Sequence, residues 1–314
     1  MAGFPAAAIV MFAVLAAPLG AQVKFAQQAD RVLVEIDRKP YTTFFLAQGG
    51  NKPYLYPLST AAGIVVTRHF PMESFPGETN DHPHQRGLFF SHGDINGSNF
   101  WATEPGSDTP NKGRMVLKKV LDAQGGAASG AIRAVFEAQD SEGRAIMTET
   151  RTIAFHSDPR LRTIDYEIRI DAIRKLTFND TKEGTFGIRL ATSMTEDKGG
   201  RMVNAEGQET EKNVWGKRSP WVDYYVPVDG QTAGVAIFDH PANPRHPTYW
   251  HARAYGLFAA NPFGERDFTG DKSRDGSLTV EPGGSLRFRY RVVIHPGDVR
   301  SAHIAELYRQ YTGR

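Results

Sequence analysis

The sequence predicts an all-β protein, a two-sheet antiparallel β-sandwich with a short C-terminal helix. Two long segments carry the prediction. Leu286, Phe288, Tyr290 and Val292 alternate with Arg287, Arg289 and Arg291, and Ile164, Tyr166, Ile168 and Ile170 alternate with Thr163, Asp165, Glu167 and Arg169. A period of two is that of a strand with one buried face. Helical periodicity is confined to the end of the chain, from about Val299 to Tyr311, where Ile304, Leu307 and Tyr308 share a face. Many strands with few helices mean a sandwich or barrel.

In chain order, the opening segment Met1 to Ala21 has no charged side chain and an apolar stretch from Ala6 to Leu19, followed by Gly20-Ala21-Gln22. This reads as a secretory signal peptide over residues 1–21, which places the mature chain in the periplasm or outside the cell. No later segment approaches the roughly 20 apolar residues needed to span a bilayer, so stable membrane insertion is not expected. Shorter strand-like runs follow at Val32 to Ile36, Ile132 to Phe136 and Val235 to Phe238. Asp140-Ser141-Glu142-Gly143, Asp229-Gly230 and Pro282-Gly283-Gly284 supply the chemistry of hairpin turns. Gly199-Gly200 and the polar stretch Glu206 to Asn213 read as a long loop. No repeat, low-complexity tract or linker divides residues 22–314, so one β-sandwich domain is expected.

Charge and cysteine content narrow the function. Lys and Arg number 37 against 35 Asp and Glu, a formal net charge of +2, with no long run of one sign. A nucleic-acid groove or polybasic membrane patch is therefore not expected. With no cysteine in the chain, disulfides, thiolate nucleophiles and cysteine metal ligands are excluded.

Histidines carry the candidate chemistry. Asp81-His82-Pro83-His84-Gln85-Arg86-Gly87 places imidazoles at i and i+2, which share a side if the segment is extended. Ser91-His92-Gly93-Asp94 adds a third imidazole and a carboxylate, and Asn99-Phe100-Trp101 an aromatic of the kind that stacks on a sugar ring. A second cluster runs through Asp239-His240-Pro241, Arg245-His246-Pro247, Trp250-His251-Ala252-Arg253 and Asn261-Pro262-Phe263-Gly264. Prolines 241, 244 and 247 make its first part a shaped loop. Between the clusters, Lys182-Glu183-Gly184 offers a carboxylate at a strand edge, and Trp215-Gly216-Lys217-Arg218 an aromatic with two cations.

If these segments meet, His82, His84, His92, Glu183 and His251 would supply proton-transfer groups, since imidazoles near neutral pKa beside carboxylates suit that work. Arg86, Asp94, His240 and Asn261 would hold ligand oxygens, and Trp101, Trp215 or Trp250 would stack on the ring. The reading is an exported enzyme acting on a small carbohydrate as epimerase, lyase or hydrolase. Two alternatives stand beside it: a noncatalytic sugar-binding protein, and a metal-dependent enzyme with His82, His84 and His92 as ligands of a divalent ion. Otherwise no cofactor is expected. For each histidine the plain alternative is a hydrogen-bond partner that holds its loop.

Several motifs together carry a resemblance. Lys52-Pro53-Tyr54 through Val66-Thr67-Arg68, Asp81 to Leu88, Ser91 to Asp94, Lys182-Glu183-Gly184 with Phe186-Gly187-Ile188-Arg189, and Phe238 to Gly264 are similar to the bacterial PmoA-like family, a domain of unknown function often labelled "methane oxygenase PmoA". That label implies a bundle of membrane helices, which this sequence does not encode. The resemblance implies instead a sugar-handling β-sandwich working alongside sugar oxidoreductases. Ser91-His92-Gly93-Asp94 to Trp101, and Val280-Glu281-Pro282-Gly283 before a strand, resemble the galactose-mutarotase-like "supersandwich" proteins. That resemblance implies His92 as acid, with Asp94 where the family's motif has glycine and no residue matched to its late glutamate.

Overall fold

The computed structural model describes residues 22–313 apart from 48, 50, 105, 106 and 229. The expected signal peptide, and Asp229 of one expected turn, lie outside the described residues. Strands are numbered in chain order. One eight-stranded sheet runs β1 (Val23–Gln27), β2 (Arg31–Ile36), β3 (Lys39–Phe45), β4 (Tyr54–Tyr56), β5 (Leu88–His92), β11 (Gly184–Arg189), β16 (Leu257–Asn261), β15 (Tyr249–Ala252). The other runs β12 (Arg201–Asn204), β13 (Trp221–Val228), β14 (Gln231–Asp239), β18 (Ser285–Pro296), β9 (Arg162–Ala172), β8 (Ala145–Ser157), β7 (Ser129–Gln139), β6 (Arg114–Gln124). A small third sheet pairs β10 (Leu176–Phe178) with β17 (Leu278–Val280). Neighbouring strands pair antiparallel in all three sheets. The fold is the antiparallel β-sandwich that the alternation predicts.

The two segments that predicted it are neighbours: β9 and β18 pair with Tyr166 opposite Tyr290 and Ile168 opposite Phe288. Their apolar faces turn into the space between the sheets, where Ile164, Ile168, Phe288 and Val292 are fully buried. Each such side chain contributes roughly 1.5–3 kcal/mol by leaving water. Phe186 of the first sheet stacks on Tyr290 of the second, centroids 4.3 Å apart and planes 2° from parallel. Arg151 on β8 also lies in this core. It pairs with Glu149 and donates to Tyr166 Oη (3.0 Å) and to the carbonyls of Pro53 (2.9 Å) and Phe90 (3.1 Å), so its buried charge is matched by acceptors from both sheets.

Two local expectations are corrected. The C-terminal helix α3 spans Ile304–Thr312 rather than beginning near Val299. Asp298 Oδ1 accepts from the backbone N–H groups of Arg300 and Ser301, closing a turn, and His303 has φ 54°, which no helix accommodates. From there Ile304 and Tyr308 pack on Trp221, Phe238 and Val293. Pro282-Gly283-Gly284 is not a hairpin, because β17 pairs with β10 and β18 with β9; the turn hands the chain from the small sheet to the large one. By contrast Asp140 to Gly143 does join two paired strands, β7 and β8, with Asp140 N–H donating to the Arg144 carbonyl. Two further short helices, α1 (Glu211–Val214) and α2 (Glu265–Thr269), occur where the sequence showed no helical period. Among the described residues no helix is long and apolar enough to cross a membrane.

Candidate functional site

The strand period decides which candidates share a face. In β11, Phe186 and Ile188 enter the core, so Thr185, Gly187 and Arg189 belong to the outer face of the first sheet; Glu183, just before the strand, lies against Gly93, the residue after His92. Pairing register continues that face as one row, His251 opposite Ala259, Ala259 opposite Gly187, Gly187 opposite Phe89, and Phe89 opposite Tyr54. The loops before β5 and after β15 lie over the row and bring His82, His84 and Tyr255 to it.

Glu183 is flanked by both clusters. His251 and His84 are each close enough for its charge to raise their pKa, and both imidazoles in turn lower that of the carboxyl. Burial is the largest single influence on each, and it sets the direction of the shift for the two imidazoles. It pushes His84 down to about 3, helped by Lys52 and His82, and His251 down to about 4, helped by Lys182 and Arg253. For Glu183, burial alone would raise the pKa, but His251, the Lys182 ammonium and His84 outweigh it and the net shift is downward. At neutral pH the site therefore holds an ionised carboxylate between two neutral imidazoles. The expectation of imidazoles titrating near neutrality is thus corrected for these two.

A hydrogen bond fixes the His251 tautomer. His251 Nδ1 lies 2.9 Å from the Lys182 carbonyl, which can only accept, so Nδ1 carries the proton and Nε2 the lone pair. His82 and His84 are 5.6 Å apart, but through a turn rather than an extended strand: His82 has φ 45°, and Gln85 N–H donates to its carbonyl. The His82 ring stacks on Tyr255 at 5.2 Å, and His84 lies 6.3 Å from Trp101.

Beneath them are buried ion clusters that the sequence reading missed. Lys52 donates to Glu104 (3.0 Å) and to the Trp101 carbonyl (2.6 Å), with Arg86 3.7 Å from the same carboxylate. Arg68 and Arg189, both almost fully buried, converge on Asp81. Arg189 Nη1 also donates to Gln85, and its guanidinium lies 4.4 Å from the Tyr255 ring centroid. The signal for Arg189 was present in the alternation Phe186-Gly187-Ile188-Arg189. Nothing local marks Lys52, Arg68 or Tyr255, whose partners are distant in sequence.

Other candidates fall elsewhere. His92 shares the core parity of Leu88 and Phe90 and packs on Phe178 and Phe263. Its Nε2–H donates to the Asn179 carbonyl (2.8 Å), its Nδ1 is buried without a partner, and burial lowers its pKa to about 4. It therefore cannot join His82 and His84 on one ion. Among the described residues no group of three or more His, Asp or Glu side chains is arranged to hold a metal. Asp94 is occupied in a turn, accepting from Gly97 N–H (2.8 Å) and Asn179 Nδ2 (2.9 Å). Asn261 has both amide ends committed, Nδ2 to the Thr181 carbonyl and Oδ1 to Phe263 N–H, so it anchors the loop that carries Glu183.

Trp250 is one residue out of phase with His251 and faces the core, its Nε1 donating to the Ser219 carbonyl. Trp101 is buried against Phe89 at 5.1 Å. Neither indole is presented for stacking on a ligand. Trp215 packs on Phe268, which also touches His251, and is only partly buried. His240 lies at the second sheet, its ring 5.3 Å from Tyr311 in α3, and takes no part in the cluster. Arg86 remains at the edge, donating to the Pro83 carbonyl (3.3 Å) and lying over Tyr54.

A separate cavity of about 610 Å³ lies beside the loop after β4, lined by Val65, His69, Phe75, Glu78 and Lys198 among others. Its one acidic and imidazole pair is already spent on the loop, for Glu78 accepts from His69 N–H (2.8 Å), Phe70 N–H (3.3 Å) and the His69 ring (3.1 Å).

Residues 31–309 match the model of a family described as "Family of unknown function (DUF6807)". The PmoA-like assignment drawn from the motifs is corrected by this match. A search of curated proteins finds none that matches. Among solved structures, the GH36 alpha-galactosidase AgaA from Geobacillus stearothermophilus is similar at 11% identity over 88% of this chain and 40% of that one, with a TM-score of 0.37. The alpha-galactosidase from Lactobacillus brevis follows at 9%, 88%, 39% and 0.39. A heparan sulfate lyase HepC mutant from Pedobacter heparinus gives 10%, 89%, 36% and 0.38. The chain thus spans about two fifths of the length of these proteins.

Proposed function

The chain belongs to the DUF6807 family, whose function is unknown, and from the chemistry of its own site we propose that it acts on a small carbohydrate by proton transfer at the outer face of the first sheet. The observation that carries the reading is Glu183, an ionised carboxylate set between the neutral imidazoles of His84 and His251. A carboxylate so placed is a general base, and a neutral imidazole whose Nε2 is bare can accept and return a second proton. His82, stacked on Tyr255 at the exposed edge, is the third proton carrier. Tyr255 and Arg86 offer polar contacts to ring hydroxyls, and the partly exposed Trp215 offers the aromatic surface that a sugar face requires.

A noncatalytic sugar-binding role is the second reading. The low pKa of both His84 and His251 favours it, since neither imidazole is charged at neutral pH to act as an acid. The experiment that separates the two is a screen of mono- and disaccharides for binding and conversion, run with Glu183→Gln beside the parent. Conversion by the parent that Glu183→Gln slows while binding persists supports proton transfer. Binding with no conversion of any sugar supports the second reading.

A further inference from the structure

We infer that Asp81 is a positioning residue, held by Arg68 and Arg189 so that it fixes His82 with its proton on Nδ1 and leaves Nε2 as the bare nitrogen. The two oxygens of Asp81 are divided between two tasks. Oδ1 takes Arg68 Nη1 at 2.5 Å and Arg189 Nη2 at 3.0 Å, while Oδ2 faces His82 Nδ1 at 2.8 Å. The side chains of Arg68 and Arg189 are 0% and 1% exposed, whereas those of Asp81 and His82 are 43% and 41% exposed. A ligand over this face cannot reach the guanidinium groups; it meets the dyad they support. Two buried cations on one carboxylate oxygen are an expensive way to close a loop, because each loses its hydration. They do, however, hold that carboxylate ionised and immobile, and the pKa of Asp81 is lowered to about 2 although burial alone would raise it.

The imidazole is restrained from its other sides as well. Arg68 Nη2 donates to the His82 carbonyl at 3.0 Å, fixing a backbone with φ 45°, and the ring lies flat on Tyr255, 11° from parallel. An ionised carboxylate can only accept, so His82 Nδ1 must donate. A carboxylate that orients a histidine in this way sets which nitrogen works as base. The use of Nε2 in proton transfer rests on the proposed function; the tautomer does not.

The test is imidazole ¹⁵N–¹H correlation on the whole protein at about pH 8, where an unperturbed imidazole is neutral, with His82 assigned by the signals that vanish in His82→Gln. In the parent, Nδ1 of His82 is expected to appear protonated and Nε2 unprotonated. In Asp81→Asn the two arginines still claim the amide oxygen, so the NH₂ group turns to His82 and the proton is expected to move from Nδ1 to Nε2. The signals of His92 and His251 should stay in place, which reports an intact fold. A parent His82 that carries its proton on Nε2, or averages between both nitrogens, overturns the inference, as does an Asp81→Asn protein with the fold intact and the tautomer unchanged. If Asp81→Asn does not fold, the parent spectrum decides alone. Failure to find any sugar ligand would remove the proposed function and leave this tautomer standing.

Discussion

His251 donates its Nδ1 proton to the carbonyl of Lys182, 2.9 Å away, and so ties strand β15 to the residue that precedes Glu183. The same contact sets the imidazole tautomer and holds the carboxylate's loop beside it. Glu183 raises the pKa of both His251 and His84, so Glu183→Gln should let both fall further from the free value. ¹⁵N-detected titration of the two rings checks this. Unchanged midpoints in the variant would show that the carboxylate does not act on them.

Acid should destabilise the fold before its carboxylates are neutralised. His84, His92 and His251 have folded-state values of about 3, 4 and 4, below the roughly 6.5 of a free imidazole. The unfolded chain then binds more protons between those limits, so stability is whole above about pH 6.5 and falls as the pH drops toward 4. His295, whose pKa is raised by Asp223 although burial opposes it, contributes with the opposite sign, its part being lost as pH rises. Three groups against one predict a lower unfolding midpoint at pH 4.5 than at pH 7, measurable by calorimetry. An unchanged or higher midpoint at pH 4.5 would contradict these burial assignments.

Gly184 marks a point where β5 and β11 approach closely. A Cβ there would lie 2.7 Å from His92 Nδ1 and 3.3 Å from Asn261 Cγ. Gly184→Ala should therefore cost about 1–3 kcal/mol, the usual range for overpacking, read from urea denaturation. A cost near zero would mean that the His92 ring has room to move.

Trp250→Phe should lower stability while leaving ligand affinity near that of the parent, because the indole faces the core and its Nε1 is spent on Ser219. Thermal unfolding and isothermal titration on the same sample make the comparison. A variant with parent stability and weakened sugar binding would return Trp250 to the ligand.

The alternation of β9 and β18 made the sandwich legible, because each long strand has one buried face and the pattern is local. The candidate site was legible only in part. His82 and His84 are two residues apart in sequence, and their proximity needs only a turn. That Glu183 meets His84 and His251 depends on β11 pairing with β5 on one side and β16 on the other, contacts some 70 to 100 residues apart. Facing is readable: Trp250 and His251 are one residue apart and so point to opposite sides, and His92 follows Leu88 and Phe90 into the core by steps of two. Arg68, Lys52 and Tyr255 carry no such mark. The depressed imidazole pKa values arise from burial and from cations on other segments, which no local pattern contains.

The most direct test of the proposed chemistry is turnover of a saccharide panel in D₂O followed by NMR, which registers deuterium entering a ring carbon as well as bond cleavage. The parent protein should convert or exchange at least one sugar, and Glu183→Gln should do so roughly 10²- to 10⁴-fold more slowly, the usual loss for a general base, with affinity for that sugar largely kept. A Glu183→Gln protein as fast as the parent on every sugar converted, or a parent that binds sugars and changes none of them, would contradict the account.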